Sequence, residues 1–285
     1  MSYQQYRPQS FNILPPVVKN LLIINGLFYL ATLVFGTQFG LDLTDKLGLH
    51  YFAASDFQPY QLITYMFMHG SFMHLFFNMF ALWMFGNTLE NYWGPKRFLT
   101  YYLITGVGAA ICHYTILYFQ IQPTLEFVNN YITNPSLNEF QTFLSSTDLK
   151  LTTQTAIDHY NELIPTTYNA ALSTNNANEA LRISVEYMQM YKTDFLNSPV
   201  IVGASGSVFG ILLAFGMLFP NTMLYIYFAI PIKAKWFVML YGAAELYSGI
   251  SNSPGDNVAH FAHLGGMLFG FILMKIWQKN TKKFY

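Results

Sequence analysis

The sequence predicts an all-α membrane protein: a six-transmembrane-helix bundle with a partly helical soluble insertion between helices three and four. Three observations carry that prediction. Hydrophobic residues make up 53% of the chain, aromatic ones 18% and charged ones 10%, where soluble domains average about 25% charged. Apolar runs of membrane-crossing or near-crossing length recur on both sides of the middle of the chain. The middle itself, 120–197, is rich in Asn, Thr, Ser and Glu and holds no run long enough to cross a bilayer.

The elements follow in order. Residues 1–16 form a polar tail that carries Arg7 and ends in Pro15-Pro16. Val17–Gly36 is the first span. It is too long for a signal-peptide core and lacks a small-residue cleavage site, so it is expected to be retained. Gln38–Tyr60, with Asp42, Asp45, Lys46 and Asp56, reads as a mixed loop lying in the membrane interface. Ser71–Leu89 is the second span, stopped by Glu90-Asn91-Tyr92-Trp93-Gly94-Pro95, with Glu90 in a pairing or capping role. Phe98–Tyr118 is the third, with Arg97 at the water edge, so 17–119 holds membrane helices one to three.

In the insertion, 120–198, Ser136-x-x-Glu139 has the form of a capping box, and Asn176–Leu196 has apolar residues at helical spacing. Helices four to six occupy 199–277: roughly Ala204–Phe219, Trp236–Ile250 and Asn257–Trp277. Lys233 and Lys235 mark a short turn, and Ser251–Asp256 a loop. The remainder, 278–285, is a basic tail.

Six spans put both termini on one side. Ten of the 14 basic residues fall there: Arg7, Lys19, Lys96, Arg97, Lys233, Lys235, Lys275, Lys279, Lys282 and Lys283. The other four, Lys46, Lys150, Arg182 and Lys192, fall opposite. The positive-inside rule makes the termini cytoplasmic and the insertion external. The expected location is a multi-pass position in a membrane, taken as the bacterial cytoplasmic (inner) membrane. Acidic residues also number 14, so net charge points to neither nucleic acid nor an acidic partner. Cys112 is the single cysteine, which excludes an intrachain disulfide. No Cys/His spacing suits a structural zinc, and neither metal nor cofactor is expected.

Polar residues inside membrane helices are costly and therefore informative. Three sets share the outer half of the bilayer in this topology: Ser205 at the head of span four; His260 and His263 in the first turns of span six; His69, His74 and Asn78 at the start of span two. A serine hydroxyl needs a base, usually histidine, and the oxyanion it creates needs donors. His74 and Asn78, spaced i, i+4, share a helix face and are candidate donors, joined by the backbone N–H of Ser205. No carboxylate lies within a turn or so of His263 along the chain, and Asp256 is seven residues earlier in a loop, so the pattern predicts a Ser–His dyad rather than a triad. Glu245 in span five receives no role beyond facing the bundle or a cavity rim. Gly206-x-x-x-Gly210 and Gly266-x-x-x-Gly270 are small-residue faces that let spans four and six approach closely. Phe209, one turn below Ser205, either stacks on the imidazole or is a core aromatic. His260 is assigned a supporting or water-coordinating role, and His69 the loop entry.

Gly203-Ala204-Ser205-Gly206, Ala262-His263-Leu264-Gly265-Gly266 and His69-Gly70-Ser71-Phe72-Met73-His74-Leu75-Phe76-Phe77-Asn78 together resemble the rhomboid intramembrane serine proteases. The resemblance covers 17–119 and 199–277. It implies Ser205 as nucleophile, His263 as general base, and His74, Asn78 and backbone N–H groups around Gly203 as the oxyanion site. It also implies a water-accessible cavity opening outward, a mobile fifth helix, and membrane-anchored substrates, single-pass or other, cut near small residues where their membrane segment unwinds. Two departures stand out. Tyr60-Gln61 occupies the place of a Trp-Arg pair common in the first loop, which implies altered loop anchoring. The long insertion is not part of the minimal fold. Rival readings are an inactive rhomboid-like binding or chaperone protein, which usually loses the Ser or His kept here, and a small transporter, whose inverted repeat is not seen. The sequence is silent on oligomeric state.

Overall fold

The computed structural model describes residues 11–145, 151, 153–226, 229–251 and 258–281. Arg7, Lys150, Asp256, Asn257, Lys282 and Lys283, with most of the 251–256 loop, most of the N-terminal tail and half of the C-terminal one, lie outside the described residues.

In chain order the elements begin with α1 Pro16–Phe39, α2 Leu43–Leu47, β1 Leu49–His50 and α3 Gln61–Thr64. There follow α4 Phe72–Ala81, a π-helical turn Leu82–Gly86, α5 Asn87–Trp93 and α6 Pro95–Thr133. Next come α7 Leu137–Ser145, α8 Gln154–Glu162, α9 Asn169–Ser173, α10 Ala177–Asn197 and β2 Val200–Ile201. The chain closes with α11 Ser205–Leu218, β3 Met223–Ile226, β4 Ile230–Lys233, α12 Ala234–Ser251 and α13 His260–Thr281. It divides into two compact units: one is the chain up to Gly48, Leu62–His113 and Val202 onward, the other Leu49–Gln61 and Tyr114–Ile201.

The first unit is a helical membrane bundle, in the class the composition predicts. Among the described residues, α1, α6 and α13 are long and apolar enough to cross a bilayer, and α11 is a shorter apolar helix. Only 17% of the most apolar stretch of α1 is buried, and Ile23, Leu27, Leu30 and Leu33 on it are exposed. A helix with so much unburied aliphatic surface is matched to lipid, where its backbone is already satisfied internally.

Glycines set the closest approaches in this bundle. A Cβ on Gly266 would stand 1.9 Å from the carbonyl oxygen of Gly206, and one on Gly206 would stand 2.4 Å from the Cβ of Ala109. Thus α13 and α6 both meet the first turn of α11 with no room for a methyl group. Tyr101 on α6 donates its hydroxyl to the Gly210 carbonyl at 2.9 Å, and Ser207 donates to the Tyr102 carbonyl at 2.7 Å. At the far end, the Arg97 guanidinium lies over the Trp277 ring, 4.1 Å from its centre.

Glu90 is 2% exposed and accepts the Val17 and Val18 N–H groups at 2.9 and 2.8 Å. It therefore caps α1 from a distance in sequence, where Pro16 has no N–H and Pro15 no capping side chain. Glu90→Ala is expected to lower stability by about 1–3 kcal/mol, the cost of orphaning one buried and one part-buried donor. Thermal unfolding in detergent reads the change, and an unaltered midpoint would contradict the capping role.

Two expectations need correction here. The helix that holds the third span does not stop at Tyr118, because α6 runs on to Thr133 with Pro123 inside it. Ile121, Val128 and Tyr131 continue the helical apolar spacing and are buried. Between α11 and α12 the chain forms a hairpin rather than a bare turn, with Met223 opposite Lys233 and Ile226 opposite Ile230.

The second unit has its own core, in which Val128 and Tyr131 of α6, Phe140 of α7, Tyr168, and Ile183, Tyr187 and Met188 of α10 pack together. The insertion is thus folded helix rather than linker. Ser136 and Asn176 stand at the starts of α7 and α10, and Asn176 Oδ1 accepts the Glu179 N–H at 3.2 Å. Asp194, buried in α10, accepts both the N–H and hydroxyl of Thr153, which in turn caps α8. Gln61, 1% exposed, accepts the His50 and Gln58 N–H groups and donates to the Asp56 carbonyl. A neutral amide thereby ties the first loop together, and β1 pairs antiparallel with β2.

Candidate active site

Three helix N-termini meet in the first unit, and each is started by its local sequence. Ser71 caps α4 by accepting the His74 N–H at 3.1 Å, which fixes His74 in the first turn. Gly203 takes a φ of +126°, open to glycine alone, and its N–H donates to the Tyr65 carbonyl at 2.9 Å. That bend delivers Ser205 as the first residue of α11. The first turn of α13 carries His260 and His263 on one side, as i, i+3 spacing requires.

Ser205 Oγ and His263 Nε2 are 2.8 Å apart. His263 Nδ1 lies 2.8 Å from Glu245 Oε2, and His260 Nδ1 lies 2.7 Å from the same oxygen. A carboxylate oxygen only accepts, so both imidazoles carry their proton on Nδ1 and donate it to Glu245. The Nε2 of His263 then has a free lone pair aimed at the Ser205 hydroxyl. This is the arrangement a general base needs.

The expectation that His263 lacks a carboxylate is therefore corrected. The partner is 18 residues away in sequence and comes from α12 through space rather than from α13 or its leading loop. Glu245 receives no role from the sequence, although the cost of a carboxylate in a membrane helix is a signal that could have found it. His260 is brought to the same group as a second donor to Glu245. Phe209 stacks on the His263 ring with centres 4.2 Å apart and planes 7° from parallel. The imidazole is thus held by its face, its Nδ1 edge and its Nε2 edge.

His74 lies beside Ser205. A Cβ built on Gly203 would meet His74 Nε2 at 2.8 Å and Ser205 Oγ at 3.6 Å, so the glycine leaves the space between them open. Asn78, one turn further along α4 and buried, donates its amide to the His74 carbonyl at 3.0 Å. The His69 ring stands edge-on to His74 with centres 5.0 Å apart. No hydrogen-bond partner for either His69 ring nitrogen is found among the described residues. His159 belongs to α8 of the second unit and has no part in this cluster.

The first-turn N–H groups of α11 have no acceptors within their own helix and carry the positive end of its dipole. With His74 alongside, they form a set of donors next to Ser205 Oγ. The cluster therefore combines a serine hydroxyl hydrogen-bonded to an imidazole, a carboxylate on the far side of that ring, and the positive pole of a helix N-terminus.

The Rhomboid domain model matches residues 56–121 and 179–279. The chain is 30% identical over 108 residues to Rhomboid-like protein 15 of Arabidopsis thaliana, an alignment covering 38% of this chain and 26% of that protein. It is 33% identical over 87 residues to an uncharacterized mitochondrial rhomboid protein of Schizosaccharomyces pombe, covering 28% and 22%. The chain thus spans about a quarter of the length of these relatives.

Proposed function

The chain belongs to the rhomboid family, and from that premise we propose that it is an intramembrane serine endopeptidase that cleaves membrane-anchored proteins within or near their transmembrane segment. The observation that carries the proposal is the linear Ser205–His263–Glu245 hydrogen-bond relay at 2.8 and 2.8 Å. An inactive binding protein has no need to hold a serine, a base and a carboxylate in line.

In the proposed reaction His263 Nε2 accepts the Ser205 proton as Oγ attacks the scissile carbonyl. The imidazolium that forms is stabilised by Glu245, which accepts from Nδ1. The oxyanion is met by α11 N–H groups and by His74, while Asn78 braces the His74 turn. His263 then returns its proton to the leaving amine, and water repeats the sequence on the acyl-enzyme. The basic-residue bias supports a site opening away from the cytoplasm, with both termini on the cytoplasmic side.

Glu245→Gln keeps the shape but lets the amide present its NH2 to Nδ1, which favours the wrong imidazole tautomer. It is expected to lower kcat by roughly 10²–10⁴-fold with little change in KM. A variant turning over at the wild-type rate would remove Glu245 from the mechanism.

The whole proposal is tested in proteoliposomes holding the full chain and a tethered single-pass substrate, with product termini mapped by mass spectrometry. The expected result is one cut within or beside the membrane segment by the wild-type protein and none by Ser205→Ala. Equal cleavage by Ser205→Ala contradicts the reading. So does an intact substrate across a panel of membrane segments, which would favour the inactive binding protein.

A further inference from the structure

His260, His263 and Glu245 each offer one metal-competent atom, and these three atoms lie within 4.8 Å of one another. We propose that this cluster is a binding site for a borderline divalent cation, zinc foremost, and that occupancy switches the protease off. The inhibitory half rests on the reading of His263 as general base; the binding half does not.

Two imidazole nitrogens and one carboxylate oxygen are a donor set that suits zinc or cobalt(II) and disfavours magnesium and calcium, which take oxygen ligands. His260 and His263 stand one turn apart on a single helix, so their backbone spacing is set before any ion arrives. Glu245 comes from a second helix on a side chain with three rotatable bonds. Its oxygen now stands 2.7 and 2.8 Å from the two Nδ1 atoms. A tetrahedral zinc with bonds of about 2.0–2.1 Å separates its ligands by about 3.3 Å, so the carboxylate has to back off by roughly half an ångström. The two Nδ1 atoms, within 4.8 Å of each other, have to settle at the same separation by ring rotation. The side chains of His260, His263 and Glu245 keep 13%, 10% and 8% of their surface exposed, which leaves an edge for the ion and a water as fourth ligand.

The consequence for catalysis follows from where the protons sit. In the metal-free cluster both Nδ1 atoms carry protons donated to Glu245, and His263 Nε2 is unprotonated. A metal on Nδ1 needs that lone pair, so neutral His263 must carry its proton on Nε2. The Ser205–His263 hydrogen bond then reverses, with the imidazole donating and the serine oxygen accepting. A base in that state cannot take the serine proton. Protons balance, since each imidazole keeps one and only moves it from Nδ1 to Nε2, while the dication takes the charge of the cluster from −1 to +1.

The test uses the purified full-length chain in detergent and two readouts. Cobalt(II) chloride is titrated while visible d–d absorption is recorded, and zinc chloride is then used to displace it. The expected result is one saturable site of low-symmetry, four- or five-coordinate character in the wild type and in Ser205→Ala. Its bands are lost in both His260→Gln and Glu245→Gln, two substitutions that keep size and polarity. Absence of such bands in the wild type, or their persistence in both variants, overturns the proposed site. In the second readout, labelling of Ser205 by a fluorophosphonate is followed against free zinc. At a zinc concentration ten times Kd the labelling rate should fall to about a tenth, the metal-free fraction, and return on chelation. A saturated cobalt site with an unchanged labelling rate overturns the inhibitory half. A metal-free protein that never labels counts against the protease reading, while the cobalt result still decides the site.

Discussion

Ser205→Ala and His263→Ala are each expected to reduce substrate cleavage by about 10⁴–10⁶-fold, and the double variant is expected to be no worse than the poorer single one. The reason is the geometry of one shared proton. Without the Ser205 hydroxyl there is no nucleophile for His263 to serve. Without the imidazole, a hydroxyl inside a membrane bundle has no acceptor at 2.8 Å to take its proton. Groups that act as a unit in this way show losses that do not add. Additive losses across the double-variant cycle would mean that the two residues serve separate roles, and would break the relay into independent parts. Any residual rate in these variants reports the donors beside the serine, so a further drop on adding His74→Ala measures the oxyanion contribution on its own.

Gly266→Val should have the largest effect on folding. A Cβ at this position would stand 1.9 Å from the Gly206 carbonyl oxygen and 2.7 Å from its carbonyl carbon. Those are backbone atoms in the first turn of α11, so no side-chain rotation relieves the overlap. Either α13 moves outward or α11 loses its seat on Ala109 of α6. Close packing of small residues is what holds membrane helices together where lipid removes the hydrophobic drive. Overpacking in a tight core already costs about 1–3 kcal/mol when side chains can adjust, and here they cannot. The expected outcome is a chain that fails to accumulate in a folded, monodisperse form. Gly242→Ala on α12 is the contrast, since its nearest neighbour is the flexible Met267 at 3.3 Å, and it is expected to fold normally. Wild-type melting behaviour in Gly266→Val would contradict the close α11–α13 contact.

The membrane class was legible because composition and span length are properties of the chain itself. The serine and histidine were legible because a polar residue in an apolar helix stands out, and because topology alone decided which helix ends they share. Glu245 stood out for the same reason, yet its role was not legible. Its partners sit on α13, and the register that brings Oε2 to both Nδ1 atoms depends on the angle between two helices. Searching for a carboxylate along the chain around His263 could not find a partner held by packing. The helix that holds span three runs past its expected end at Tyr118, and Pro123 does not break it. The helical period of Ile121, Val128 and Tyr131 outweighs the proline, because each has a core to enter. The Met223–Lys233 hairpin was missed for a different reason. Its strands are four residues each, too short for alternation to rise above the apolar background.

The central claim is that Ser205 is an activated nucleophile, and covalent capture tests it without knowledge of the substrate. The full chain in lipid is treated with a fluorophosphonate, digested, and searched for phosphonylated peptides. The account predicts a single adduct on Ser205, absent in Ser205→Ala and slowed by orders of magnitude in His263→Ala. An adduct on another serine, or unreactive protein from a preparation that cleaves its substrate, would contradict it.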